Sequence, residues 1–193
     1  MNIFKRARYC AVLVVGLGAL EGNIAFADEI RVGLALHDET VLQDRDSVES
    51  SGAISVEYIM DSPDWMKKWT LGARPIAYGA LNLSGKTNHA GVGLNWRARF
   101  LDGLYAEFGT GLSIHDGELT EVNALSITGE NDGLENIYGS RVLFRHQIAL
   151  GYEINEQWNA DIFLDHLSHG QILTNNPRND GLENVGIRIG RKF

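Results

Sequence analysis

The sequence predicts an eight-stranded antiparallel β-barrel that spans a membrane. Three observations predict it: eight segments in which apolar and polar residues alternate, charged residues that recur on the polar faces of these segments, and connections that alternate between long and short. Alternation with a period of two places successive side chains on opposite faces of a strand. Ion pairs and small residues can fill the narrow interior of a small barrel, and the apolar outer face then meets lipid.

Composition excludes several other classes of protein. The 193 residues carry 25 acidic and 17 basic side chains, for a formal net charge of −8, whereas nucleic-acid-binding proteins carry basic faces. A chain of this length accommodates one domain. The single cysteine, Cys10, excludes a disulfide scaffold and any paired-cysteine metal or redox site.

The N-terminal residues have the pattern of an export signal. Basic residues between positions 5 and 8 precede an apolar stretch at 10–20, which is shorter than the roughly 20 residues of a spanning helix. Ala25-Phe26-Ala27 supplies a cleavage site with small residues at its first and third positions. The sequence therefore predicts a cleaved signal peptide at 1–27 and an outer-membrane barrel at 28–193.

The eight predicted strands follow one another along the mature chain. Their apolar faces are, in order, Ile30, Val32, Leu34 and Leu36; Ile54, Val56, Tyr58 and Met60; Trp69, Leu71, Ala73, Pro75, Ala77 and Leu81; Val92, Leu94, Trp96, Ala98 and Phe100; Leu104, Ala106, Phe108 and Leu112; Val142, Phe144, Ile148, Leu150 and Tyr152; Ala160, Ile162 and Leu164; and Val185, Ile187, Ile189 and Phe193. The opposite faces carry Arg31, Glu57, Arg74, Arg97, Arg99, Glu107, Arg145, Glu153, Asp161 and Asp165. Phe163 is an apolar exception on a polar face. Mixed charges of this kind favour a barrel interior.

The predicted connections favour an outer membrane. Four are long or polar, at 38–51, 83–90, 113–140 and 169–183, and three are shorter, at 61–68, 101–103 and 155–158. Outer-membrane barrels have long outer loops and short periplasmic turns, so both termini are predicted to be periplasmic. A soluble periplasmic β-sandwich is the alternative fold.

Candidate catalytic residues lie near the end of the chain. His166 and Ser168 are two residues apart on the seventh strand and share the outward face, where a polar pair is costly in lipid. An imidazole beside a hydroxyl can activate serine for attack. Glu183 starts the neighbouring eighth strand with the same outward parity, and a carboxylate there could orient the imidazole.

These residues resemble the signature of a known family. His166-Leu167-Ser168, followed by Asn-Asp-Gly-Leu-Glu at 179–183, resembles the PagL family of lipid A 3-O-deacylases. The resemblance implies an eight-stranded outer-membrane barrel in which His166, Ser168 and Glu183 are catalytic. The family commonly has Asn after its serine, where this chain has His169, and its loop before the Asn-Asp-Gly turn is shorter. The candidates for stabilising the oxyanion are Asn179, Gly170 and His169.

The sequence thus predicts a serine esterase that hydrolyses the 3-O-linked hydroxyacyl chain of lipid A in the outer leaflet. The expected partners are lipopolysaccharide and outer-membrane lipids, with no nucleic acid; a homodimer is left open. The mechanism needs no metal or organic cofactor. The alternatives are a non-catalytic barrel, acting as an adhesin or as structural support, and a barrel acyltransferase or phospholipase.

Overall fold

The computed structural model describes residues 27–43, 46–120 and 135–193. The predicted signal peptide lies outside these residues, except for Ala27 at the start of the first strand. The elements are β1 (Ala27–His37), β2 (Ser51–Met60), α1 (Asp64–Lys67), β3 (Arg74–Asn82), β4 (His89–Leu101), β5 (Leu104–His115), β6 (Val142–Glu153), β7 (Trp158–Ser168) and β8 (Leu182–Lys192). The described residues therefore contain the eight strands that the alternation predicts.

The strands form one closed barrel in chain order. Each strand pairs with its neighbours, and β1 closes the barrel by pairing with β8 from Glu29↔Lys192 to His37↔Asn184. All of these pairings are antiparallel. Closure leaves no sheet edge unpaired, as a strand in lipid requires. The predicted fold class is confirmed. Within the described ranges, no helix has the length and apolar character needed to cross a membrane.

The lumen is filled by buried ion pairs. Arg31 lies at their centre: its Nη1 is 2.6 Å from Glu107 and its Nε is 2.6 Å from Glu29, and all three side chains are fully buried. Further pairs join Arg97 to Glu29 and Glu107, Arg145 to Glu57 and Asp165, and Arg188 to Glu57 and Asp161. Because a buried charge needs partners, the placement of these charges on inward faces fixes the register of the strands.

Phe163 also has a partner in the lumen. Its ring lies inward and is buried, and the guanidinium of Arg188 is 4.4 Å from the ring centroid. The apolar exception in the seventh strand therefore packs beneath a cation of the network.

The predicted start of the third strand is wrong. The sequence pattern starts the third strand at Trp69, but β3 starts at Arg74, and the connection from β2 covers residues 61–73. Asp64 follows Pro63 and begins the short helix α1, and Leu71 and Gly72 both have positive φ, which a strand does not allow. This connection is consequently longer than the predicted short turn at 61–68.

The barrel has two distinct ends, named here by their connections. The loop end carries the described residues 38–43, 46–50, 83–88, 116–120, 135–141 and 169–181. The turn end carries residues 61–73, 102–103 and 154–157 together with the chain terminus. Both His166 and Ser168 lie at the loop end of β7. The fold therefore brings the site residues together at the loop end.

A buried carboxylate ties the loops at this end. Glu49 accepts hydrogen bonds from the backbone N–H groups of Asn136 and Thr87, at 2.9 and 3.2 Å, and lies 3.4 Å from Nε2 of His37. Burial would raise the pKa of Glu49, but these hydrogen bonds outweigh it, so that the pKa lies below its ordinary value. Glu49 thus stays ionised and holds three connections to one another.

Candidate active site

The strand register brings the predicted catalytic residues together. In the β7–β8 ladder His166 lies directly opposite Glu183, and Ser168 lies two residues beyond His166 on the same face. Side chains directly opposite each other on antiparallel strands are close enough to interact. All three side chains share the outward face, and the register brings them together at one point of the barrel wall.

The three side chains form a chain of hydrogen-bond contacts. Nε2 of His166 lies 3.2 Å from Oγ of Ser168, and Nδ1 of His166 lies 3.1 Å from Oε1 of Glu183. The two ring nitrogens thus face different partners, which is the arrangement a general base needs between a nucleophile and an orienting carboxylate. Ser168 and His166 are both partly exposed on the outer wall.

The carboxylate of Glu183 is fully buried, although it shares the outward face. The connection between β1 and β2 covers it: the backbone N–H groups of Val41 and Leu42 donate to its Oε2 at 2.7 and 2.8 Å. The backbone N–H of Glu39 also bonds the Glu183 carbonyl at 2.9 Å. Sequence reasoning missed this contribution, because residues 141 and 142 positions apart meet only once the barrel closes.

The turn after Ser168 presents a backbone donor. Gly170 and Gln171 both have positive φ, and the N–H of Gln171 bonds Nδ1 of His169 at 2.9 Å. Among the described residues, the N–H of Gly170 has no acceptor, and it lies two residues from the nucleophile. This N–H is therefore a candidate donor near the nucleophile.

His169 lies on the inward side, as its parity predicts, and is fully buried. Its Nε2 lies 2.9 Å from the carbonyl oxygen of Arg178, so that both ring nitrogens serve the 169–181 connection. Its backbone N–H donates to Oδ1 of Asn179 at 3.3 Å. This bond orients the Asn179 amide and leaves its Nδ2 without a partner among the residues described. Both ring nitrogens of His169 are therefore engaged, whereas the Nδ2 of Asn179 and the N–H of Gly170 keep their donor capacity.

We expect Asn179→Ala to lower the rate of ester hydrolysis by about 10²–10³-fold, because removing one oxyanion donor usually costs that much. Asn179→Asp keeps the acceptor for the His169 N–H but removes the donor, so it should be similarly impaired. Single-turnover rates with a lipid ester measure the effect. Full activity in Asn179→Asp would exclude the donor role.

A second histidine lies beside the site. His146 on β6 pairs directly with His166, and its Nδ1 is 3.1 Å from Oγ1 of Thr110. Phe108 and Phe144 flank its ring, each at 6.5 Å between centroids. The contact with Thr110 gives this polar side chain on the outer wall a partner, which is a structural role.

An apolar depression lies on the outer wall toward the turn end. Its volume is about 660 Å³, and its outward lining comprises Val32, Leu34, Leu104, Leu150, Tyr152, Ala160, Ile162, Ile187 and Ile189. The small side chain of Ala160 lies between Tyr152 and Ile189 in the register and opens the space. Ile162 precedes His166 by four residues, which is about 13 Å along a strand. An extended apolar chain could run from the site into this depression.

Two arginines near the site, Arg141 and Arg178, already have partners in the connections. Arg141 donates to the carbonyl oxygens of His115 and Gly117, and Arg178 pairs with Asp180 at 3.2 Å. Both therefore already serve the connections. Among the described residues, no group of three or more His, Cys, Asp or Glu side chains is arranged to hold a metal ion.

A comparison with family models places this chain in a known family. The model of the lipid A 3-O-deacylase (PagL) family matches residues 52–192. The chain belongs to this family. The PagL match includes His166, Ser168 and Glu183 and seven of the eight strands, whereas Val41 and Leu42 lie outside it. The protein is accordingly a lipid A 3-O-deacylase, and the alternatives of an adhesin, an acyltransferase and a phospholipase have no support.

Solved structures share the PagL-like architecture. The crystal structure of the outer membrane enzyme PagL has a TM-score of 0.61 at 12% identity, over 86% of this chain and 99% of that chain. Neisserial surface protein A (NspA) has a TM-score of 0.51 at 9% identity, over 87% of this chain and 96% of that chain. At such identities the likeness concerns the fold alone, and the bacterial outer-membrane location rests on the family match. A search of curated proteins gives no match.

Proposed function

We propose that this lipid A 3-O-deacylase uses Ser168 as nucleophile, His166 as general base and Glu183 as the carboxylate that orients the base. The observation that carries the proposal is the pair of contacts at His166, 3.2 Å to Ser168 and 3.1 Å to Glu183. A hydrogen bond on Nδ1 fixes the imidazole tautomer in which Nε2 can accept the serine proton.

The reaction proceeds through an acyl-enzyme. Oγ of Ser168 attacks the carbonyl carbon of the ester while His166 Nε2 takes its proton, which gives a tetrahedral intermediate. The C–O bond to the sugar breaks, and His166 returns the proton to the leaving sugar oxygen. His166 then deprotonates a water molecule, which attacks the acyl-serine and releases a hydroxy fatty acid. As the bond between the acyl carbon and Oγ breaks, His166 returns the proton taken from water to Oγ of Ser168, which restores the free enzyme.

The N–H of Gly170 and Nδ2 of Asn179 are the proposed donors for the negative oxygen. Backbone and amide donors held in place by the turn need little reorganisation when charge develops. Glu183 lies beneath the loop and stabilises the imidazolium that forms at each step.

The location of the site on the outer wall supports a membrane lipid as substrate. We propose that both termini are periplasmic, so that the loop end and the site lie at the outer leaflet. An acyl chain in that leaflet packs against the barrel wall, and the depression near Ala160 and Ile162 would receive its apolar tail. A buried apolar chain contributes about 0.8 kcal/mol per methylene to binding.

A comparison of lipid A with phospholipid as substrates tests the proposal. We expect the purified protein in mixed micelles to release hydroxy fatty acid from lipid A and no fatty acid from phospholipid. The Ser168→Ala protein is the matched control and should release neither. Equal hydrolysis of phospholipid would contradict selectivity for lipid A.

A further inference from the structure

The connection between β1 and β2 reaches the site through its backbone. Glu183 directs Oε1 toward His166 and uses Oε2 to accept two hydrogen bonds, from the N–H groups of Val41 and Leu42 at 2.7 and 2.8 Å. Each oxygen of the carboxylate thus has its own function. The plane of the carboxylate is fixed by groups that come from a different part of the chain.

The loop that presents these donors is itself held in place. Oδ2 of Asp38 accepts the N–H groups of Val48 and Glu49 at 2.9 and 2.7 Å, which closes the loop on itself. The Glu39 N–H bonds the backbone carbonyl of Glu183 at 2.9 Å, which joins the loop to β8. The two donors therefore approach Glu183 from a position determined by three other hydrogen bonds.

The pairing also accounts for the burial of Glu183. A fully buried carboxylate without partners is costly, and hydrogen bonds to a charged group are worth about 1.5–3 kcal/mol each. The imidazole alone satisfies only one oxygen. Without the loop, water would reach the other oxygen and the carboxylate could rotate away from His166.

We propose that the backbone N–H groups of Val41 and Leu42 position Glu183 for catalysis, so that the first loop is part of the active site. The inference rests on the proposed role of Glu183 as the orienting carboxylate. Both residues act through Glu183 and are positioning residues. Their side chains have no part in the pairing, so the sequence of this loop carries no motif for it.

Proline substitution removes the donors one at a time, because proline has no N–H. We expect Leu42→Pro and Val41→Pro each to lower kcat about 10-fold or more with KM within about twofold, since each loses a hydrogen bond to a charged group. Leu42→Ala keeps the N–H and should lose less activity than Leu42→Pro. Thr40→Pro is the matched control, since the Thr40 N–H has no acceptor among the described residues.

A double-mutant cycle separates positioning from loop folding. In the Glu183→Ala background, which should retain a measurable residual rate, Leu42→Pro should cause no further loss because its target is gone. An equal loss of rate in both backgrounds would overturn the inference, as would unchanged kcat in Leu42→Pro. Heat-modifiable migration on unboiled gels reports whether each variant forms the barrel.

Two further experiments distinguish a failure of the loop proposal from a failure of the proposed mechanism. If Leu42→Pro does not form the barrel, an α-hydroxy acid at position 42 replaces only the N–H with oxygen, and the same kcat loss is expected. If Ser168→Ala is fully active, the proposed mechanism fails. If Ser168→Ala is inactive and the cycle is additive, the mechanism stands and the positioning role of the loop is refuted.

Discussion

Ser168→Ala and His166→Ala should each lower the rate of lipid A deacylation by about 10⁴-fold or more, while the barrel stays folded. Nucleophile and base act as one unit, so removing either abolishes the same covalent step. The double variant should be no slower than either single variant. Rates of fatty-acid release from purified lipid A measure the effect.

Controls for this prediction come from the same end of the barrel. Ser84→Ala in the exposed connection between β3 and β4 should keep the wild-type rate. Glu183→Ala should lose less than the other two triad variants, because an orienting carboxylate is commonly the least costly member to remove. Deacylation by Ser168→Ala at more than a tenth of the wild-type rate would refute a serine nucleophile.

Arg31→Met should destabilise the barrel by about 3–5 kcal/mol or prevent its folding. The guanidinium lies between Glu29 and Glu107 at 2.6 Å from each, and the substitution leaves both carboxylates buried and without this partner. Urea titration of the protein in detergent micelles, followed by heat-modifiable migration, measures the loss of stability.

The matched control is Arg99→Met, at the turn end of β4. Arg99 is 60% exposed and pairs with Glu153 at 2.8 Å, and exposed pairs contribute about 1 kcal/mol or less. Both variants replace one arginine with methionine. The difference between their losses of stability therefore measures the effect of burying the ion pair. Equal stability of Arg31→Met and Arg99→Met would contradict a lumen held by the ion-pair network.

Strand faces were predictable because lipid and lumen impose opposite demands on alternate residues. The same parity predicted that His166 and Ser168 face outward. The pairing of His166 with Glu183 was predictable because the two residues lie on adjacent strands and share the outward face. These predictions needed only local sequence and the barrel geometry.

Other features depend on contacts that local sequence does not encode. Trp69 and Leu71 continue the alternation of β3, yet the positive φ of Leu71 and Gly72 ends the strand pattern at this connection. The Nε1 of Trp96 then bonds the carbonyl oxygen of Thr70 at 2.8 Å and holds this segment against the outer wall. The backbone donors of Val41 and Leu42 were unpredictable for another reason, because any residue except proline supplies an N–H.

The most direct test is tandem mass spectrometry of lipid A after incubation with the purified protein. The account predicts loss of the single hydroxyacyl chain at the 3-position, with the sugar hydroxyl free, and no change with the Ser168→Ala protein. Loss of a chain from another position, or the same loss with Ser168→Ala, would contradict the proposed site.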